Sequence, residues 1–197
     1  MRVFWGSSMT VLAVGKALYI CWVLSEVAIF VFTLTRPGKG EIKDRGSLLL
    51  LWVVIFASLY LGPRYGDTHP RNMFGNAGWI RYAGLALMIV GLAIRWTAVV
   101  SLGRSFSANV AIRAEQKLKT DGLFRFVRHP SYFGLLLVIL AIGIHTHNWI
   151  GFAIAVIPPF AALSYRIHVE EMALKAAFGS AYEAYSSRTR RLIPGIY

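Results

Sequence analysis

Two polar strings, RHPSYFG at Arg128–Gly134 and EEMALKAAFG at Glu170–Gly179, decide how this chain folds. Between them the sequence is almost wholly apolar, interrupted by the short polar stretch His145–Asn148. A helical membrane span needs roughly 20 apolar residues at about 1.5 Å each. The interval therefore reads as two spans, Ser131–Ile144 and Trp149–Ile167, the first of them short. The connection is too brief for anything but an antiparallel helical hairpin. A hairpin returns its ends to one side of the bilayer, so Arg128 and His129 must lie near Arg166, Glu170 and Glu171. Arg166 and Glu170 are also four residues apart and share a helix face.

Three further apolar runs lie upstream, at Met9–Leu34, about Ser47–Leu61, and Trp79–Leu102. Five spans in 197 residues agree with a composition that is 56% hydrophobic and a mean hydropathy of +0.55. Such a balance belongs to membrane proteins. A net charge of +12 would suggest nucleic acid in a soluble protein. Here the basic residues stand between apolar runs, where anionic head groups and topology account for them, and no nucleic-acid partner is expected. An outside N-terminus puts 15 Lys and Arg residues inside and 3 outside, which predicts a cytoplasmic C-terminus. The single cysteine, Cys21, excludes an internal disulfide. The first run is too long for a cleaved leader.

Local signals refine this picture. Thr120-Asp121-Gly122 is a turn, and Pro130 suits the first helical position with His129 before it. Pro158-Pro159 should kink the fifth span. Gly179 should end the helix after that span, and Ser180-Ala-Tyr-Glu183 reads as a capping box for the next. Gly62–Gly78 reads as an outside loop.

A cluster of Arg128, His129, Arg166, Glu170 and Glu171 at a membrane boundary exceeds what topology requires, and partly desolvated charge of this kind accompanies binding sites. Taken alone, Arg166 and Glu170 would be an ordinary interfacial pair worth about 0.3 kcal/mol. Tyr132, Tyr182 and Tyr185 suit either an interface belt or a pocket wall. Arg95, about two turns from the inner end of the third span, either snorkels to the interface or contacts a ligand. His145 and His147 sit on the opposite side with no carboxylate nearby, so no metal site is expected. The chain shows no dinucleotide fingerprint, Walker loop or catalytic triad.

In their order and spacing, LGRSFSANVAIRAEQKLKTDGLF from Leu102, RHPSYFG, Arg166, EEMALKAAFG, YEAY at Tyr182–Tyr185 and RLIP at Arg191–Pro194 resemble the isoprenylcysteine carboxyl methyltransferase family, particularly its short five-span prokaryotic members. The likeness covers about Leu102–Pro194. It implies an all-α integral membrane protein of one domain over 1–197, with a cytoplasmic C-terminal helical segment closing a cofactor pocket built by 103–197. It also implies multi-pass insertion, in the inner membrane if the source is prokaryotic. The cofactor implied is S-adenosyl-L-methionine, and the acceptor is a lipophilic molecule delivered from the bilayer.

Carried over by position, cofactor contacts fall on Gln116, Lys117, Leu118, Lys119, Phe124, His129 and Glu170. Tyr132, Tyr182, Tyr185 and Arg191 complete the candidate set. Arg166 is expected to hold the acceptor, with Arg95 in reserve, and Arg128, Arg166, Glu170 and Glu171 are the candidate catalytic groups. Two departures stand out: the family often has His-x-Leu-Val where this chain has Gln116-Lys-Leu-Lys119, and Tyr where it has Phe124. Methyl transfer to a carboxylate needs alignment and desolvation but no base, and an arginine can grip the carboxylate through two parallel hydrogen bonds. An amine acceptor, as in phospholipid N-methylation, would instead need a base, for which Glu171 is the candidate. Two other classes stay open: an NADPH-dependent reductase of the sterol-reductase kind using Arg188, Arg190 and Arg191, and a non-catalytic lipid carrier. No obligate protein partner is evident.

Overall fold

The computed structural model describes residues 2–33, 41–42, 46–69, 78–107, 111–112 and 116–197. Six helices carry the fold: α1 (Arg2–Thr33), α2 (Ser47–Thr68), α3 (Gly78–Leu102), α4 (Pro130–Ile144), α5 (Trp149–Phe178) and α6 (Ser180–Ser186). Four of them, α1, α2, α3 and α5, are long and apolar enough to cross a membrane. Their outward faces are apolar, with Phe32, Leu49, Tyr60 and Val100 all exposed. That is the surface a bilayer, rather than water, would cover. The helix α4 has only 15 residues, about 22 Å, and falls short of the roughly 30 Å hydrocarbon core. An all-helical reading also misses a two-residue antiparallel pair, β1 (Glu41–Ile42) with β2 (Ala111–Ile112).

The expected hairpin is present. Pro130 opens α4, and residues 145–148 turn the chain into α5. Asn148 caps α5 by accepting hydrogen bonds from Ile150 N (3.0 Å) and Gly151 N (2.9 Å). Its amide also donates to His69 O at 2.8 Å, which ties the end of α2 to the hairpin turn.

Glycines let the helices close. A Cβ on Gly134 would stand 2.5 Å from Gly91 O, so α4 packs backbone to backbone on α3. Gly62 and Gly151 do the same for α2 and α5, where either Cβ would come within 2.7 Å of the other's carbonyl oxygen. Ile55, Val138, Ile139, Leu163 and Ile167 fill the space between these pairs and are wholly buried.

Three expectations are corrected. The helix α2 does not stop at Leu61 but runs through Pro63 to Thr68, because Gly62 and Gly66 pack on the 146–151 turn and tertiary contact outweighs local propensity. The second half of the expected loop, 70–77, lies outside the described residues. The polar segment after the fifth span is no separate helix: α5 continues unbroken through Pro158 and Pro159 to Phe178. Finally, Gly179 (φ 51°) ends α5 and starts α6, which makes Ser180 the first helical residue. No side chain caps α6, so the capping box does not form. Of the basic residues used for orientation, Arg36, Lys39, Lys43, Arg45, Arg71 and Arg113 lie outside the described residues.

Candidate functional site

The polar end of α5 meets the start of α4 because α5 is 30 residues long, about 45 Å, and projects well past a bilayer core. The C-terminal segment then folds back beneath α4. Arg128 N donates to Arg190 O (2.8 Å) and His129 N to Arg191 O (3.1 Å), while Leu192 is completely buried. Between the start of α4, the end of α5, α6 and the 102–107 and 116–125 segments opens a cavity of about 720 Å³, its solvent mouth included.

Most of the residues singled out from the sequence meet there. Gln116, Lys117, Leu118, Lys119 and Phe124 supply one wall; Arg128, His129 and Tyr132 a second; Glu170, Tyr182 and Tyr185 a third. His129 stacks on Tyr132 with ring centroids 5.7 Å apart. Glu170 keeps 30% of its side chain exposed, with Oε2 3.9 Å from His129 Nδ1, so it offers a carboxylate to the cavity. The Tyr185 hydroxyl donates to Phe124 O at 2.6 Å, and burial pushes its pKa up to about 12. Burial also raises the Tyr182 hydroxyl, helped by Glu171. That hydroxyl is buried and makes no hydrogen bond among the described residues. The Tyr182 ring lines the cavity.

Other candidates do different work. Glu171 is not a free base: Arg128 Nε (2.8 Å), Arg191 Nε (2.9 Å) and His129 Nε2 (3.4 Å) all surround its carboxylate. Arg128 donates as well to the carbonyls of Ser186 and Thr189, so its guanidinium binds the strap although its side chain touches the cavity. Arg191 packs over the Tyr197 ring and is no part of the lining. Arg166, only 1% exposed, donates to Ser47 Oγ (2.6 Å) and to the Tyr132 hydroxyl (3.2 Å), one layer behind the cavity wall. Arg95 does not snorkel: it is buried against Glu26 and Ser131. Arg188 Nε caps the carbonyl of Ala184, and Arg188 and Arg190 do not line the cavity either.

Sequence reading overlooked the apolar lining, Leu102, Phe106, Leu174 and Phe178. A signal existed for two of these, since Leu174 and Phe178 follow Glu170 at four-residue steps on one helix face. Ser47 and Glu26 carried no such signal, because only tertiary contact brings them to Arg166 and Arg95. A carboxylate, a buried hydroxyl without a partner and an aromatic and aliphatic slot together suit an amphipathic ligand carrying positive charge.

Residues 84–176 match the isoprenylcysteine carboxyl methyltransferase family. The match begins earlier than the resemblance drawn from motifs, inside α3, and stops before YEAY and RLIP. The protein-S-isoprenylcysteine O-methyltransferase B of Arabidopsis thaliana is 38% identical over 121 residues, which is 59% of this chain and 60% of that protein. The probable enzyme of the same name from Oryza sativa subsp. indica is 34% identical over 120 residues, 60% of this chain and 63% of that one. The solved structure of the eukaryotic intramembrane Ras methyltransferase of this family aligns with a TM-score of 0.56 at 26% identity, covering 76% of this chain and 51% of that one. The chain thus spans about three fifths of the length of these curated relatives and about half of the solved one.

Proposed function

We propose, for a chain whose residues 84–176 match the isoprenylcysteine carboxyl methyltransferase family, that it transfers a methyl group from S-adenosyl-L-methionine to a lipophilic carboxylate, forming a methyl ester. The observation that carries this reading is the part-exposed Glu170 carboxylate beside His129, with Tyr182 and the apolar side chains Leu102, Phe106, Leu174 and Phe178 lining the same cavity. When bound, this cofactor supplies an electrophilic methyl group on a sulfonium. Glu170 complements its positive charge and takes its ammonium group, and Tyr182 provides the missing hydrogen bond. Phe106, Leu174 and Phe178, which line the cavity, would cover its heterocycle. These residues fit the group.

A carboxylate acceptor is already a nucleophile at neutral pH, so the protein has to hold it in line and remove its water. Arg166 is the anchor for it. Its bonds to Ser47 and Tyr132 orient the guanidinium, and Tyr132 joins it to the cavity wall. The amine alternative is weaker because two guanidinium groups and His129 enclose Glu171, the candidate base. The reductase alternative is weaker because Arg188, Arg190 and Arg191 stand outside the cavity lining.

The acceptor class is a prenylated or similar lipid acid reaching the site from the bilayer, in keeping with the protein-S-isoprenylcysteine O-methyltransferases that this chain resembles. The helix α4 is the remaining membrane element, a short, sunken span that makes five. The N-terminus lies outside, and the C-terminal strap closes the cofactor cavity on the cytoplasmic side. The test is calorimetric binding of S-adenosylhomocysteine to detergent-purified protein. Saturable binding that Glu170→Ala weakens at least tenfold supports the reading. Binding of NADPH in its place would move the chain to the reductase class.

A further inference from the structure

We infer that Glu26, on α1 and outside the family-matching stretch, is a positioning residue for the His129–Tyr132 wall of the cavity, acting through Arg95 and Ser131. Its kinetic consequence rests on the methyl-transfer reading; its structural content does not.

Both oxygens of Glu26 accept hydrogen bonds from one edge of Arg95, at Nε and Nη2. Trp22 Nε1 donates to the same carboxylate at 3.2 Å. The remaining arm of Arg95, Nη1, donates to Ser131 Oγ (2.9 Å) and to Ser131 O (3.1 Å). All four residues are buried. Ser131 itself lines the cavity, and so do His129 and Pro130 before it and Tyr132 after it.

A buried ion pair at membrane depth is a poor adhesive, since desolvating both charges offsets most of their attraction. Adhesion of α3 to α4 does not need it, because Gly91 and Gly134 already bring those backbones into contact. What the pair adds is orientation. A guanidinium gripping both the carbonyl and the hydroxyl of one residue sets the depth and the rotation of the first turn of α4. On that turn ride the His129–Tyr132 stack and the hydroxyl that receives Arg166. Glu26 in turn holds Arg95 inward; without the carboxylate a long cationic side chain two turns from the helix end is free to swing to the interface.

The experiment compares wild type with Glu26→Gln, Glu26→Asp and Ser131→Ala. Histidine side chains are followed by NMR in the apo protein, and methyl transfer is measured with a farnesylated cysteine derivative. Glu26→Gln is expected to move the His129 imidazole signal while His145 and His147 stay in place. It should lower kcat at least tenfold with the KM for the donor within threefold, and Glu26→Asp should recover most of the rate. A His129 signal unmoved in Glu26→Gln overturns the inference and leaves Glu26 a clamp for α1. Should Glu26→Gln fail to fold, Ser131→Ala decides: a smaller shift of the His129 signal supports positioning, and none overturns it. If wild type neither binds S-adenosylhomocysteine nor transfers a methyl group, the proposed function fails, while the His129 signal still decides the role of Glu26.

Discussion

Glu170 and Glu171 are adjacent in sequence and opposite in circumstance. One faces the cavity; the other is enclosed by Arg128, His129 and Arg191. Replacing Glu171 by Gln strands partly buried cations, and breaking a buried pair from one side costs about 3–5 kcal/mol. Glu171→Gln should therefore lower the melting temperature markedly and loosen the strap, whereas Glu170→Ala should leave the melting temperature nearly unchanged and lose ligand affinity. Equal effects of the two on stability would contradict this division. Arg166→Ala should abolish turnover with binding of S-adenosylhomocysteine kept within threefold, and Arg166→Lys should not rescue it, since an ammonium cannot form the paired bonds. Loss of cofactor-product binding in Arg166→Ala would show that the arginine serves the donor instead. Tyr185 carries the pH prediction. Its pKa rises from 10.0 to about 12, so the folded state favours the protonated hydroxyl. That stability is complete below about pH 10 and is lost as pH climbs toward 12. Tyr185→Phe should flatten the alkaline limb of a melting-temperature profile.

Among the elements, α4 shows how closely small residues govern packing. Its neighbour across Gly134 is backbone, Gly91 O and Arg95 N, and neither can step aside as a side-chain tip would. Gly134→Val should cost at least about 1–3 kcal/mol as overpacking and spread α4 from α3. Thermal unfolding reads the loss, and weaker Arg95–Ser131 bonding should carry it into the cavity. The element read best from sequence was the α4–α5 hairpin, because loop length and apolar runs determine it with no reference to anything distant. The elements read least well were the ends of α2 and α6. A Gly-Pro pair argues for a stop after Leu61, but the contact of Gly62 and Gly66 with the 146–151 turn keeps the helix going. Ser180 offers a good cap, but Gly179 already turns the chain one residue earlier.

For the whole molecule, the cavity depends on both ends of its family-like half. Removing residues 188–197 deletes the Arg191–Glu171 pair, the buried Leu192 and the backbone bonds to Arg128 and His129. The truncated protein should stay inserted and helical by circular dichroism but bind S-adenosylhomocysteine at least tenfold more weakly; undiminished binding would show that the strap does not shape the site. The amino-acid sequence alone determined the membrane class, the hairpin and the meeting of His129 with Glu170. Each of these follows from hydropathy, loop length or helical spacing, which are local quantities. Only the tertiary structure decided which charges are free. Glu170 is open and Glu171 closed, and Arg95 turns inward to Glu26 across 69 residues of chain, because the partners of a charge are chosen by packing between helices that sequence spacing does not relate.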